Sequence, residues 1–269
     1  MTDLPVIREY SPDDIPVLSR IWQDSFDDTQ LFINDFFRLL PEIGTCIVLE
    51  LDGTVIGMTS IINRCFFCDQ ECACLYAVAI EKEFRGRGYG KLITQAGCSK
   101  AHEIGASIIW LQPASKPLFT FYLNAAGFKP VLFRTTHTVS AFPYSIPLKL
   151  SAPEYTSKRN LLLQSGNYLR ISESVMNFYQ ILCEDYGGGL FSVGDGLCAG
   201  YPVGDTAFVF EVIKGNCMPN DSAVASIAHL WGCKTAKYYL PSTDKQGDAF
   251  LVSLPDNIPA DTVWNITFE

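Results

Sequence analysis

The stretch that decides the fold reads LYAVAIEKEFRGRGYGKLI and covers residues 75–93. The apolar run Cys72–Ile80 predicts a strand, which leads directly into RGRGYG at residues 85–90. Apolar positions then recur at helical spacing over Lys91–Ile104, and Gly105 supplies a helix stop signal. The predicted order is therefore strand, glycine loop and helix.

A glycine loop in front of a helix favours phosphate binding. The helix start offers unpaired N–H groups and the positive end of the helix dipole, and glycine lets bulky oxygens approach the main chain. The loop has no Gly-Lys-Ser/Thr ending, and Gly86, Gly88 and Gly90 are spaced by two, so it matches neither the Walker nor the dinucleotide pattern. A plain turn and an RNA-binding arginine–glycine segment are the alternatives.

Read as R-x-x-G-x-G, with Arg85, Gly88 and Gly90, the loop resembles the acetyl-CoA loop of the GNAT acetyltransferases. The resemblance extends over roughly residues 4–139. It implies an α+β (mixed α/β) fold, the GNAT acyl-CoA N-acyltransferase fold with a central mixed sheet. The other segments that carry it are IREYSPDDIPVLSRIW (7–22), CIVLELDGTVIGMTSII (46–62) and LQPASKPLFTFYLNAAGFKPV (111–131).

This resemblance implies acetyl-CoA as a co-substrate and places its site. The loop amides would hold the pyrophosphate. The end of the preceding strand would pair with the pantetheine arm and polarise the thioester carbonyl through main-chain N–H groups. GNAT catalysis needs no metal, and we expect none. The cofactor-binding residues implied are Val78, Ile80, Arg85, Gly86, Arg87, Gly88, Tyr89 and Gly90.

Acyl transfer also needs an acid for the departing CoA thiolate. Many GNAT enzymes place a tyrosine four residues before the glycine of the Gly-Phe turn. Here Leu123 occupies that position, and Tyr122 stands five residues before Gly127. Tyr122 is our candidate for the acid. The other interpretation is an ordinary buried aromatic beside Phe119 and Phe121.

The base has several candidates. Tyr76 and Glu71 lie in the strand before the loop, where family members often carry a base, and their odd separation lets only one face the pocket on a regular strand. The C-terminal carboxylate of Glu269 is another, since some two-module GNAT proteins bring their C-terminus to the site. Four aspartates in the region that caps the acceptor in related proteins form either a site for a cationic amine or a solvated helix face: Asp24, Asp27, Asp28 and Asp35.

The composition of the 269-residue chain limits its class. With 48% hydrophobic and 18% charged residues it has material for a packed core and no disordered signature. The net charge of −9 argues against a nucleic-acid partner. No signal-peptide pattern and no run of 18 apolar residues occurs. We therefore expect a cytoplasmic protein without a nucleic-acid or membrane partner, and an oligomer stays open.

Four of the ten cysteines lie in CFFCDQECAC, residues 65–74. C-x-x-C is zinc-ligand spacing, but the other pair is C-x-C, whose two side chains share one face of a strand. Free thiols are therefore favoured over a zinc site in a cytosolic chain. The three histidines are isolated in sequence and favour structural roles: His102, His137 and His229.

The length allows two domains. We assign residues 1–140 to a GNAT acetyltransferase domain, 141–160 to a connection with three prolines and no periodicity, and 161–269 to a C-terminal α+β domain. Residues 190–240 predict three strands, a helix and a strand, an order that resembles a degenerate GNAT-like module. Its segment EVIKGNCMPNDSAVASIA (211–228) lacks paired glycines, so we expect no second cofactor loop.

These observations predict an acetyl-CoA-dependent N-acetyltransferase. It would move an acetyl group to a primary amine, on a small molecule or a lysine, by direct transfer in a ternary complex. The negative net charge favours a cationic acceptor. The alternative is a non-catalytic acyl-CoA-binding protein, a sensor or pseudoenzyme, which the spacing of Tyr122 supports.

Overall fold

The structure is a computed structural model that describes residues 4–242, 248–259, 262–264, 266 and 268. Its contacts divide the chain into two compact units. Unit 1 comprises the residues up to Val131 together with Leu251–Asn257, and unit 2 comprises Leu132–Phe250 together with the residues from Ile258 onward. None of the helices in the described ranges has both the length and the apolarity that a bilayer span requires.

The described residues form a mixed α/β structure of thirteen strands and seven α-helices. The first ten elements are β1 (Val6–Glu9), α1 (Ile15–Gln23), α2 (Gln30–Ile43), β2 (Gly44–Leu51), β3 (Thr54–Phe67), β4 (Gln70–Ile80), α3 (Tyr89–Glu103), β5 (Ile108–Leu111), α4 (Lys116–Ala126) and β6 (Lys129–Ser140). The others are β7 (Leu148–Lys149), α5 (Ala152–Leu163), β8 (Arg170–Ile171), α6 (Glu173–Asp185), β9 (Gly189–Val193), β10 (Gly196–Val203), β11 (Thr206–Ile213), α7 (Asn220–Leu230), β12 (Thr235–Ser242) and β13 (Asp248–Leu254).

The sheet of unit 1 has the strand order β1-β2-β3-β4-β5-β13. Its neighbours are antiparallel except β4 and β5, which are parallel and joined through α3. Asp52 and Gly53, both at positive φ, form the tight turn between β2 and β3, as the Asp-Gly pair between two strand-like runs of the sequence indicates. Helix α3 packs on this sheet and contributes Ile93 and Ala101 to the core of the unit.

The sheet of unit 2 repeats this order of pairing. Its strands β9-β10-β11-β12-β6 follow the pattern of β2-β3-β4-β5-β13: three antiparallel strands, a crossover helix to a parallel strand, then an antiparallel strand. Strand β7 adds to the outer side of β9. The strand that follows α4 therefore pairs in unit 2, whereas the strand beside β5 comes from the C-terminal part of the chain.

Helix α5 lies in a segment for which the sequence predicts no helix. Residues 141–160, where the sequence predicts a connection, contain β7 and the first nine residues of α5. The overlooked signal is a capping box, in which Ser151 and Glu154 bond to each other at 2.7 Å and the Glu154 carboxylate also accepts the Ser151 N–H. Pro153 lies in the first turn of the helix, where proline lacks only an N–H that has no helical partner.

An ion pair lies in the interior of unit 2. Arg159 of α5 contacts Glu211 of β11 at 3.0 Å, and the two side chains are 1% and 0% exposed. Glu211 also accepts the hydroxyl of Tyr155 at 3.0 Å, and Arg159 Nη1 donates to the carbonyl of Leu169 at 2.6 Å. These bonds compensate the loss of hydration that burial imposes on both charges. Removing either residue would therefore leave the other charge buried without compensation.

Replacement of Glu211 by Gln should destabilise the protein strongly, because it leaves the Arg159 charge buried without its partner. We expect a loss of about 3–5 kcal/mol in the free energy of unfolding, measured by urea denaturation. The control is Asp205→Asn, which breaks the exposed pair of Asp205 with Lys234 in the same unit and should leave the midpoint nearly unchanged. Equal midpoints for the two variants would contradict a structural role for the buried pair.

Candidate functional site

The glycine loop lies between the end of β4 and the start of α3. Gly86 and Gly88 adopt left-handed conformations with φ of 76° and 88°, which favour glycine. A Cβ at either position would meet no atom within 4 Å, so both face open space. At Gly90 a Cβ would lie 3.3 Å from Cζ of Phe121. The first two glycines leave room for a ligand, and the third allows α3 to approach α4.

The loop presents a row of backbone N–H groups. The first N–H that is bonded in α3 belongs to Leu92, which donates to the carbonyl of Gly88 at 3.2 Å. Within the described part of the chain, no acceptor contacts the N–H groups of residues 86–91. The 15-residue α3 adds the positive end of its dipole at the same place. This arrangement suits an anion with several oxygens, such as a phosphate.

The side chain of Arg85 joins the loop to other parts of unit 1. Its Nε donates to the carbonyl of Ile80 at 2.8 Å, and its Nη2 donates to Oγ of Ser25 at 2.9 Å. The buried carboxylate of Glu81 pairs with Arg20 of α1. Sequence reasoning missed both links, because the partners are about 60 positions apart and follow no pattern.

Two further loop residues surround Phe84. The guanidinium of exposed Arg87 lies 5.5 Å from the ring centroid of Phe84, and the ring of half-buried Tyr89 lies 6.5 Å from it. Arg87 therefore adds a positive charge at the solvent side of the loop.

Strands β4 and β5 separate before β4 reaches the loop. Their pairing ends where Cys74 lies beside Trp110, whereas β4 continues to Ile80. On its other side β4 carries a bulge, in which Ala77, at φ of 50°, and Val78 lie opposite a single residue of β3. The last residues of β4, Val78 and Ile80 among them, therefore run along a gap that β5 leaves open.

Tyr122 points into the core of unit 1. Its side chain is 7% exposed, and its ring lies 5.0 Å from that of Phe121. Burial, with a smaller effect of the Cys74 thiol, raises the pKa of Tyr122 to about 12. Helix α4 is regular at its end, since the N–H of Gly127 donates to the carbonyl of Leu123 at 2.8 Å, and Leu123 is 46% exposed. This register directs Tyr122, not Leu123, into the interior.

The two candidate bases of β4 lie on opposite sides of its short pairing with β5. The half-buried ring of Tyr76 lies 5.6 Å from those of Trp22 and Phe36, two residues past the end of the β4–β5 pairing. Glu71 lies three residues before Cys74, where the pairing ends, and nine residues before the end of β4, about 30 Å from that end at ~3.3 Å per residue. A Cβ at Gly105 would lie 2.8 Å from its Oε2. The structure therefore brings Tyr76, and not Glu71, to the gap.

Two of the four aspartates have partners. Asp28 accepts the indole N–H of Trp22 at 2.7 Å, and Asp35 pairs with Arg38 at 2.8 Å within α2. Asp24 ends α1, and Asp27 is exposed in the segment that follows. Glu269 lies outside the described residues.

In the corresponding loop of unit 2, backbone N–H groups are hydrogen-bonded to a side chain of the protein. This loop follows β11 and precedes α7, as the glycine loop follows β4 and precedes α3. The carboxylate of Asp195 accepts the N–H groups of Cys217 at 3.1 Å and Asn216 at 2.5 Å, and these bonds lower the pKa of Asp195. The amides of this loop therefore already have an anionic partner.

The cysteine cluster forms the hairpin between β3 and β4. Cys68 and Asp69 occupy its turn at positive φ, and the buried Cys65 and Cys72 lie opposite each other on the strands. In the described ranges no three His, Cys, Asp or Glu side chains are grouped so that they could hold a metal ion.

The family model of the acetyltransferase (GNAT) family matches residues 7–128. A GCN5-related N-acetyltransferase from Kribbella flavida is similar at 14% identity and a TM-score of 0.67, over 94% of this chain and 71% of that one. A GCN5-related N-acetyltransferase from Anabaena variabilis is similar at 16% identity and a TM-score of 0.67, over 95% of this chain and 74% of that one. Eis1 from Mycobacterium abscessus is similar at 12% identity and a TM-score of 0.57, over 87% of this chain and 65% of that one. These likenesses show the fold. A search of the curated proteins finds no match.

The cysteine environments predict which thiols react. Burial raises the pKa of Cys46, Cys72 and Cys98 to about 12, whereas Cys68 and Cys217 are exposed. Because the thiolate is the reactive form and the Asp195 carboxylate raises the pKa of Cys217, we expect two equivalents to react with Ellman's reagent in the folded protein, Cys68 faster than Cys217, and the remainder only after denaturation. Cys68→Ser should remove the faster of the two equivalents and Cys217→Ser the slower one. Four fast equivalents, or a fast phase that survives both substitutions, would contradict these environments.

Proposed function

We propose that the protein is an N-acetyltransferase, because the acetyltransferase (GNAT) family model matches residues 7–128, and that its residues carry out acyl transfer in the following way. The donor is acetyl-CoA, and the acceptor is a primary amine. Transfer is direct, within a ternary complex. The observation that carries this proposal is the row of open amides at residues 86–91 in front of α3.

We assign the CoA pyrophosphate to those amides. Gly86 and Gly88 leave space for its oxygens, and the N–H groups and the helix dipole stabilise its charge. Arg87 supplies a further positive charge at the exposed side. Arg85 acts through its links to Ile80 and Ser25, which hold the start of the loop in place, and not as a direct phosphate ligand.

We assign the pantetheine arm and the thioester to the gap between β4 and β5. An extended arm can bond the main chain of Val78 and Ile80 there, as a strand would. A backbone N–H beside the thioester carbonyl stabilises the oxyanion that forms when the amine attacks its carbon. The bulge at Ala77 turns the main chain locally, and we propose that this turn orients a backbone N–H toward the gap.

Tyr122 is the proposed proton donor to sulfur. The amine nitrogen bonds to the carbonyl carbon and gives up a proton to the base, and the C–S bond breaks with its electron pair on sulfur. The thiolate then takes a proton from Tyr122, which solvent replaces. A phenol with a pKa of about 12 keeps its proton at neutral pH, so it can hydrogen-bond the developing thiolate. Full transfer to a thiolate with a pKa near 8.5 is uphill by roughly 5 kcal/mol. Tyr122 therefore acts first as a hydrogen-bond donor that stabilises the leaving group.

The attacking amine must first lose a proton. Tyr76 is the better placed of the two β4 candidates, because Glu71 lies at the far end of the strand. A cationic acceptor fits the net charge of −9 and the exposed Asp27 beside α1. We place the protein in the cytoplasm, where acetyl-CoA is available.

Blocking the loop should abolish binding of acetyl-CoA. In Gly88→Trp the indole projects into the space that the phosphates would occupy, and calorimetric titration should show at least a hundredfold weaker binding than for the native protein. The control is Gly53→Trp, at another glycine of unit 1 with positive φ and open space, which should bind normally. Absence of binding by the native protein would overturn the assignment of the loop.

Loss of the Tyr122 hydroxyl should slow the chemical step. We expect kcat of Tyr122→Phe to fall about a hundredfold with an acceptor found by an amine screen, while binding of acetyl-CoA is unchanged. CoA release measured with a thiol reagent gives the rate, and Leu123→Ala on the exposed side of α4 is the control. Native activity in Tyr122→Phe would exclude this role. Binding without any amine-dependent release by the native protein would support the non-catalytic alternative.

A further inference from the structure

Four apolar side chains at alternate positions of one segment of unit 2 are exposed to solvent. We name Phe142, Tyr144, Ile146 and Leu148 the apolar strip; their exposed fractions are 55%, 58%, 83% and 63%. Single exposed apolar residues are ordinary, but four within seven positions are a local concentration of the kind that marks interaction sites.

The backbone under the apolar strip is fixed to the body of unit 2. The N–H of Phe142 donates to the carbonyl of Ala225 at 3.1 Å, and the N–H of Ser145 donates to Oγ of Ser226 at 3.1 Å, both on α7. At the other end the strip enters β7, which pairs with β9. The rings of Phe142 and Tyr144 lie 4.6 Å apart. The strip is therefore a preformed surface, and its binding would require little ordering.

The size of the apolar strip is appropriate for a protein interface. Large side chains bury about 150–250 Å² each, so the four exposed fractions offer on the order of 400 Å² of apolar surface. This is about half of the ~800 Å² that each partner contributes to a standard interface. The apolar strip can therefore form the centre of an interface, with polar neighbours as its rim.

The charge of the strip indicates which partner fits. Residues 141–148 contain no charged side chain, in a chain whose net charge is −9. Two copies of this chain carry the same net negative charge, and an uncharged apolar strip is a place where they can meet without bringing like charges together. An uncharged apolar surface is also self-complementary, which a two-fold symmetric contact requires.

We propose that the apolar strip is the contact between two copies of this chain, related by two-fold symmetry. Pro143 and Pro147 lack an N–H, so the copies do not extend each other's sheets through continuous strand pairing. They meet instead through side chains, with Ile146, the most exposed of the four, at the centre. This inference is independent of the acetyl-transfer proposal.

Sedimentation velocity of the full chain over a concentration series tests the proposal. We expect the native protein to sediment as a dimer at tens of micromolar, or as a larger closed assembly that contains this contact. Ile146→Asp should be a monomer, because it brings two carboxylates together at the symmetry axis. Leu31→Asp, at a residue of α2 that is 65% exposed and outside the strip, should sediment as the native protein does.

A milder variant and a cross-link keep the test decisive if Ile146→Asp does not fold. Ile146→Ser removes only exposed apolar surface and should weaken dimerisation at least tenfold with an unchanged circular dichroism spectrum. A photo-reactive benzoyl-phenylalanine at Tyr144 should cross-link the strips of two copies to each other. A native monomer at all concentrations would overturn the proposal, as would an assembly that Ile146→Ser leaves unchanged or a cross-link to a different surface.

Discussion

The early separation of β4 from β5 is the constraint on which the site depends. Because their pairing ends at Cys74, the last residues of β4 have a neighbour on one side only, and the glycine loop begins where β4 stops. Tyr122 packs in the same core as Ala73 and Leu75 of β4. The groove proposed for an extended ligand, the loop proposed for its anion and the proposed proton donor thus all lie near one break in a sheet.

A loop with open amides needs support from elsewhere in the fold. Exposed N–H groups without a protein partner are tolerated because water can bond them, but they do not hold the loop in one conformation. Side chains do so here. Arg85 connects the loop to Ile80 and Ser25, and Glu81 connects it to Arg20. A substitution of Ser25 can therefore affect the loop without contact to a ligand.

The two units show how one strand order can carry different chemistry. Both contain three antiparallel strands, a crossover helix and a parallel strand, but the loops before the two helices differ. In unit 1 glycines leave the amides open, whereas in unit 2 the carboxylate of Asp195 occupies those of Asn216 and Cys217. Whether the amides in front of the helix are open thus depends on the loop and not on the fold.

The sequence by itself determined the strand, glycine loop and helix around residues 85–90, the hairpin at Asp52-Gly53 and the family of the first half. These features depend on neighbouring residues, whose spacing and backbone freedom are legible locally. Only the tertiary structure decided that Tyr122 points inward, that Glu71 lies outside the gap, and that β6 and β13 pair in different units. Those outcomes depend on helix register, strand length and contacts between distant residues, which no local pattern encodes.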